Sequence, residues 1–320
     1  MKKNIIIIMF ILAFVVVDAM AQNGKSSYIS ANVNFGSTSL GFKVKELDGS
    51  VGNAGGKIGT GINIKYNYYF SKWGIGVGAG LSNYKSRASI KGGMKDNSVY
   101  NLGTYIDDDA MSGLPRNFTL RGRLENISEK QNITFFELPV TALYHTRFSY
   151  GKWGAYGSLG IKILMPVSKK YEVEKKTSSK LNVSGFYPDD TQDFDMGAPG
   201  NPSVVKYGFG TLDSPAATLK WKGDSKLNIG YAATFDVGAL YRLTNESDMF
   251  FGLFLDYCMN EIKNKSISLL SGPAGSSGYQ PDANNNIGNG IIYNGLLDSN
   301  QTDRIIPLSF GVKIGVRFKI

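Results

Sequence analysis

From Arg304 to Ile320 the chain alternates strictly. Ile306, Leu308, Phe310, Val312, Ile314, Val316, Phe318 and Ile320 are apolar, and Pro307, Ser309, Gly311, Lys313, Gly315, Arg317 and Lys319 between them are small, polar or charged. A period of two is the mark of a β-strand with two unlike faces. The run is long for a strand of a soluble sheet and suits one that crosses a bilayer at a tilt, which takes about 9–11 residues. Lys313 and Arg317 cannot face hydrocarbon, so their face looks into a lumen. An open sheet edge in lipid would leave backbone hydrogen bonds unmade, so the sheet must close on itself.

The same period predicts strands over Tyr28–Phe35, Ile58–Phe70, Gly74–Tyr84, Ile133–Phe148, Trp153–Leu164, Leu227–Leu243 and Met249–Ile262. Sets such as Ile29/Ala31/Val33/Phe35 and Phe251/Leu253/Leu255/Tyr257 point to lipid. Short connections (Ser71–Trp73, Ser149–Lys152, Thr244–Asp248) alternate with long ones (Gly36–Lys57, Lys85–Asn132, Pro166–Lys226, Lys263–Asp303). Outer-membrane barrels have this asymmetry, with short periplasmic turns and long extracellular loops. Aromatic residues gather at the short turns: Tyr66, Tyr68, Phe70 and Trp73; Tyr144, Phe148, Tyr150 and Trp153; Tyr241, Phe250 and Phe251; and Phe318. They form an interfacial girdle. The expectation is an all-β, closed antiparallel transmembrane β-barrel of eight strands. Ten is the alternative, because Asn117–Ile127 also alternates; its thin apolar face reads as an extracellular extension of the sheet.

The glycines of GIGVGAG, Gly74 to Gly80, invite a nucleotide-loop reading. Such loops must open a helix, and here glycine alternates with aliphatic residues in a strand. Lumen-facing glycines would leave room for large side chains from opposite strands. Two substitutions follow from the faces: Val312→Arg should be harmful, and Gly311→Ser far milder.

The first residues carry a secretion pattern. Lys2 and Lys3 precede an apolar run, Ile5 to Val17, that is too short to span a membrane, and Ala19-Met20-Ala21 fits signal-peptidase cleavage. Residues 1–21 read as a signal peptide and 22–320 as the barrel domain, placed in the cell outer membrane. The formal charge is +9, and removing Lys2, Lys3 and Asp18 lowers it to +8. In a secreted barrel this favours anionic lipid such as lipopolysaccharide, or an anionic solute, over nucleic acid. Cys258, the single cysteine, excludes an intramolecular disulfide and reads as a small packing residue.

Phe136-Glu137-Leu138-Pro139, Asp256-Tyr257-Cys258-Met259-Asn260-Glu261-Ile262, and Asn294-Gly295-Leu296-Leu297 through Thr302-Asp303-Arg304 to Gly311-Val312-Lys313-Ile314-Gly315 resemble the outer-membrane barrel family abundant in Bacteroidetes. In architecture that family is related to the OmpA-type eight-stranded barrel. The resemblance implies the barrel-assembly machinery as a partner and no catalytic set. It also implies no peptidoglycan-binding role, since the chain ends at the barrel.

The inward positions carry both signs of charge: Lys65, Lys162, Arg242, Lys313 and Arg317 against Glu137, Asp236 and Asp256. An eight-stranded barrel is about wide enough to be filled by its own side chains. Asp236, Asp256 and Lys313 should form one ion-paired plug, joined at similar depth by Lys162. An enzyme is not expected: the one histidine, His145, lies near a short turn, far from the long loops. The acidic clusters Asp107–Asp109 and Asp189, Asp190, Asp193 and Asp195 lack the pattern of a calcium loop. No cofactor or metal is expected. Phe186, Tyr187, Phe194, Tyr207, Phe209 and Trp221 give the Pro166–Lys226 loop aromatic anchors for an extracellular ligand. The leading expectation is a non-enzymatic envelope or surface-binding barrel, and the alternative is a small-solute or ion channel of porin type.

Overall fold

The computed structural model describes residues 25–44, 51–91, 99–107, 116–148, 151–174, 180–186, 221–272 and 291–320. The predicted signal peptide, Tyr150, Tyr187, Phe194, Tyr207, Phe209 and the acidic residues Asp108, Asp109, Asp189, Asp190, Asp193 and Asp195 lie outside them. The strands are β1 (Lys25–Ser39), β2 (Val51–Phe70), β3 (Trp73–Lys91), β4 (Val99–Asp107), β5 (Arg116–Glu125), β6 (Ile127–Arg147), β7 (Trp153–Val173), β8 (Lys180–Phe186), β9 (Lys222–Asp224), β10 (Gly230–Arg242), β11 (Ser247–Cys258), β12 (Leu270–Ser271), β13 (Ile292–Tyr293) and β14 (Leu308–Lys319).

Eight of these close a ring in the order β1-β2-β3-β6-β7-β10-β11-β14, with β14 returning to β1. Every neighbouring pair is antiparallel. The protein is an eight-stranded transmembrane β-barrel. Of the stretch Asn117–Ile127 only Ile127, the first residue of β6, enters the ring. Most of it is β5, which pairs with β4 and β8 in a separate three-stranded sheet.

Around the short-turn half, the outer surface is an apolar band that includes Val33, Ile64, Leu159, Leu253 and Ile314, all exposed. Trp73 packs on Tyr144 and Trp153 on Tyr241, with ring centroids 4.9 and 5.0 Å apart, and both tryptophans are exposed at the same end. Lipid covers such a band, and the aromatic ring marks its edge.

The strands run further than their lipid-facing segments. β3 continues to Lys91, β6 begins at Ile127, β7 reaches Val173 and β2 begins at Val51. The polarity of the wall reverses on the way. In the lipid half the outside is apolar and the inside polar. Beyond Ser82, Tyr84, Ala88 and Ile90 are buried inside while Lys85 is exposed outside. Ile133 and Ile127 are likewise buried, with Asn132 and Lys130 exposed. The upper half is therefore built like a water-soluble barrel around an apolar core. That core also takes in Leu40, Phe42, Leu269, Leu270, Ile291, Leu296, Leu297 and Ile305, all from the connections.

The glycine run of β3 does make room, but for its neighbour. In register, Tyr69 faces Gly74, Asn67 faces Gly76, Lys65 faces Gly78 and Asn63 faces Gly80. A methyl group built on Gly78 would lie 2.7 Å from Lys65 Cγ, and one on Gly76 2.7 Å from Asn67 Oδ1. The side chains that use the space come from the adjacent strands, mainly β2 and at Gly76 also Thr141 and Leu143 of β6, not from strands opposite. Gly311 corrects a second expectation. It pairs with Gly36 across β1 and β14, and a Cβ on Gly311 would lie 2.3 Å from the Phe35 carbonyl oxygen and 2.5 Å from Gly36 Cα. Gly311→Ser is therefore not a mild change.

Candidate functional site

The lumen is filled in tiers, each set by the inward parity of the strands. At the short-turn end, Arg317 of β14 donates through Nε to Asp248 Oδ2 at 2.9 Å, and Arg147 reaches both oxygens of Asp248 at 3.0 Å. Arg317 also lies over the rings of Tyr28 and Tyr69, 4.7 and 5.6 Å from their centroids. His145 stacks on Tyr69, with centroids 4.1 Å apart.

One tier up, Asp236 of β10 is held by Lys313, by Lys65 at 3.7 Å and by the Ser158 hydroxyl at 2.8 Å. Above it, Lys162 of β7 sits 2.7 Å from Asp256 and 3.4 Å from Glu137, which also accepts from Ser82. The predicted single plug of Asp236, Asp256 and Lys313 is thus two clusters. Lys313 goes to Asp236, and Asp256 takes Lys162. Asp256 lies further up the barrel, level with Thr234 and Ser309, whereas Asp236 is level with Ser158. Arg242 is half-buried at the end of β10 and makes no ion pair among the described residues.

Over the Lys162 tier, Tyr84 and Phe135 meet edge to face at 5.1 Å and begin the apolar core. Between the two, a gap lined by Asn34, Tyr84, Glu137 and Asp256 has a volume of about 10 Å³. That is room for one water at most.

The segment from Ile291 to Ile305 closes the mouth. Glu129 of β6, fully buried, accepts from the Tyr293 hydroxyl at 2.8 Å, the Leu296 amide at 2.9 Å and the Gln131 side chain at 2.6 Å. The Tyr171 hydroxyl donates to the Tyr293 carbonyl at 2.8 Å. Gly295 has φ +79°, and a Cβ there would meet the Tyr171 ring at 2.8 Å. The close seat of this segment on β7 therefore requires glycine. Trp221 stacks on Tyr293 at 5.0 Å, nearly parallel, so it packs on this segment and is not a free anchor for a ligand. Phe186 ends β8.

Three participants escape a reading by strand pattern. Asp248 falls in a predicted turn, although its parity with Phe250 and Asp256 would have placed it inside. Glu129 and Tyr293 fall in predicted loops, and no periodicity announces them.

Among the described residues no group of His, Cys, Asp and Glu is placed to hold a metal ion. No family model matches the chain, and no curated protein matches it. The chain is similar to solved barrels. Neisserial surface protein A is 11% identical over 93% of this chain and 100% of that one, with a TM-score of 0.36. The outer membrane protein OprG from Pseudomonas aeruginosa is 12% identical over 92% and 97%, with a TM-score of 0.34. The outer membrane protease OmpT from Escherichia coli is 11% identical over 92% and 97%, also with a TM-score of 0.34.

Proposed function

We propose that this is an outer-membrane protein of the kind its motifs resemble in Bacteroidetes, with a closed, non-conducting barrel that works through its outer surface and loops. The observation that carries the reading is the continuous filling of the lumen. Three ion-paired tiers, centred on Asp248, Asp236 and Asp256, lie under an apolar core. Buried pairs of this sort are costly to open, because either partner left alone is a bare charge. The apolar belt calls for a bilayer, and the barrel-assembly machinery is the partner that would place it there.

The porin alternative needs a conduit, and among the described residues the gap between the Lys162 tier and the apolar core holds one water at most. A hydrolytic role is also disfavoured: His145, the base available, is pressed between Tyr69 and Arg317 at the end away from the mouth.

Single-channel recording of the folded full chain in a planar bilayer tests the reading. Silence is expected from protein whose folding is verified by heat-modifiable gel mobility. Reproducible discrete steps in the unmodified protein would overturn it in favour of the channel.

A further inference from the structure

The polarity reversal of the wall leaves an unusual outer face. Where β2, β3, β6, β7 and β9 rise out of the lipid band, they line an open groove of about 930 Å³. Its floor is a row of side chains in register: Lys85 pairs across strands with Asn132, Asn132 with Lys170, and Lys170 with Asp224 of β9 at the far end, while Lys57 flanks Lys85 on the neighbouring strand β2. A second row contains Arg87 opposite Lys130. Arg87 and Lys130 already share Glu174, Lys130 at 2.9 Å. Lys57, Lys85 and Lys170 make no ion pair among the described residues.

The height of this row decides what it meets. Trp73 marks one edge of the bilayer, and Lys85 lies on the same strand. Twelve residues at about 3.3 Å each, tilted by about 40°, rise roughly 30 Å, against an apolar band about 25 Å tall. The last lipid-facing residues below the row are Ile58, Leu81 and Val167, all exposed. The lysines therefore stand at headgroup level on the long-loop side and face outward into the leaflet.

We propose that this groove binds the phosphorylated headgroup of a glycolipid in the outer leaflet, with Lys57, Lys85 and Lys170 holding its phosphates. Three unpaired cations in one row match clustered phosphates better than the single charge of an ordinary phospholipid, and Asn132 between them offers a hydrogen-bond donor to a sugar or phosphate oxygen. The proposal rests on the outer-membrane reading but not on the closed lumen. Channel recording tests the one and lipid retention the other, so each can fail alone.

Native mass spectrometry of the full chain in neutral detergent reads the site, with bisphosphorylated lipid A as the probe. Wild type should retain it, and retention should fall about a hundredfold in Lys57→Gln/Lys85→Gln/Lys170→Gln, since each cation near an anionic headgroup contributes about fivefold. Arginine at the same three positions should preserve retention. Fully dephosphorylated lipid A should bind wild type as weakly as the bisphosphorylated form binds the glutamine variant. The proposal is overturned if the glutamine variant retains the probe unchanged. It is overturned as well if Lys72→Gln/Lys152→Gln at the short turns weakens retention equally, or if millimolar inorganic phosphate displaces the lipid, which would make this a site for free phosphate.

Discussion

Lys162 shows how much a single residue carries in this lumen. It is 1% exposed, and it neutralises two carboxylates at once, Asp256 at 2.7 Å and Glu137 at 3.4 Å. Lys162→Met keeps much of the volume but strands both acids inside the barrel. Breaking a buried pair costs about 3–5 kcal/mol because the partner remains buried and unpaired. A loss of that size is expected in urea unfolding of the barrel in lipid vesicles, followed by tryptophan fluorescence. Arg242→Met is the matched control. Arg242 is half-buried with no ion pair among the described residues, so its change should stay within about 0.5 kcal/mol. Equal losses in the two variants would mean that charge pairing does not distinguish these positions.

At the level of the strand, β14 shows what a pattern can and cannot say. Its alternation placed Val312 outside and Lys313 inside, and Val312 is exposed in the apolar band while Lys313 is buried. Val312→Arg should cost about 2–4 kcal/mol near the bilayer midplane. The pattern also made Gly311 look replaceable, because it reports which face a residue occupies and not how closely two backbones approach. Gly311 meets Gly36. Gly311→Ser should then cost about 1–3 kcal/mol through forced backbone movement. Equilibrium unfolding of both variants in vesicles checks this pair, and a Gly311→Ser protein as stable as wild type would show that the close approach is relieved cheaply.

The same limit hides the strands inside the long connections. In lipid, period two shows as an apolar face turned outward. Above the bilayer the outside is water, so the first residues of β6 carry Ile127 and Ile133 inward and Lys130 and Asn132 outward. The inward charges Lys65, Glu137 and Asp236 were legible because lipid forbids them elsewhere. Their pairing was not, since it depends on the stagger between strands that are far apart in sequence.

For the whole molecule, the two halves are joined where the segment Ile291 to Ile305 lies in the mouth, and Glu129 is the polar clamp of that junction. It sits above the lipid band in the buried core, and burial pushes its carboxyl from an ordinary 4.5 up to about 6, against the opposing effect of its three hydrogen-bond donors. Between those values the folded protein holds a proton on Glu129 that the unfolded chain has released. Stability from this group is therefore greatest below pH 4.5, falls as pH rises to about 6, and is level above that. A shift of this size corresponds to about 2 kcal/mol. Unfolding free energies of wild type and Glu129→Gln, measured from pH 4 to 7.5, isolate the effect, because the lumen carboxylates titrate equally in both. The wild-type value should drop relative to the variant by about 2 kcal/mol across that window, and parallel profiles would mean that the clamp is already ionised at acid pH. Since the clamp joins the Ile291–Ile305 segment to the barrel wall, the same window is where the mouth should hold that segment most firmly at its acid edge and least firmly at its neutral one.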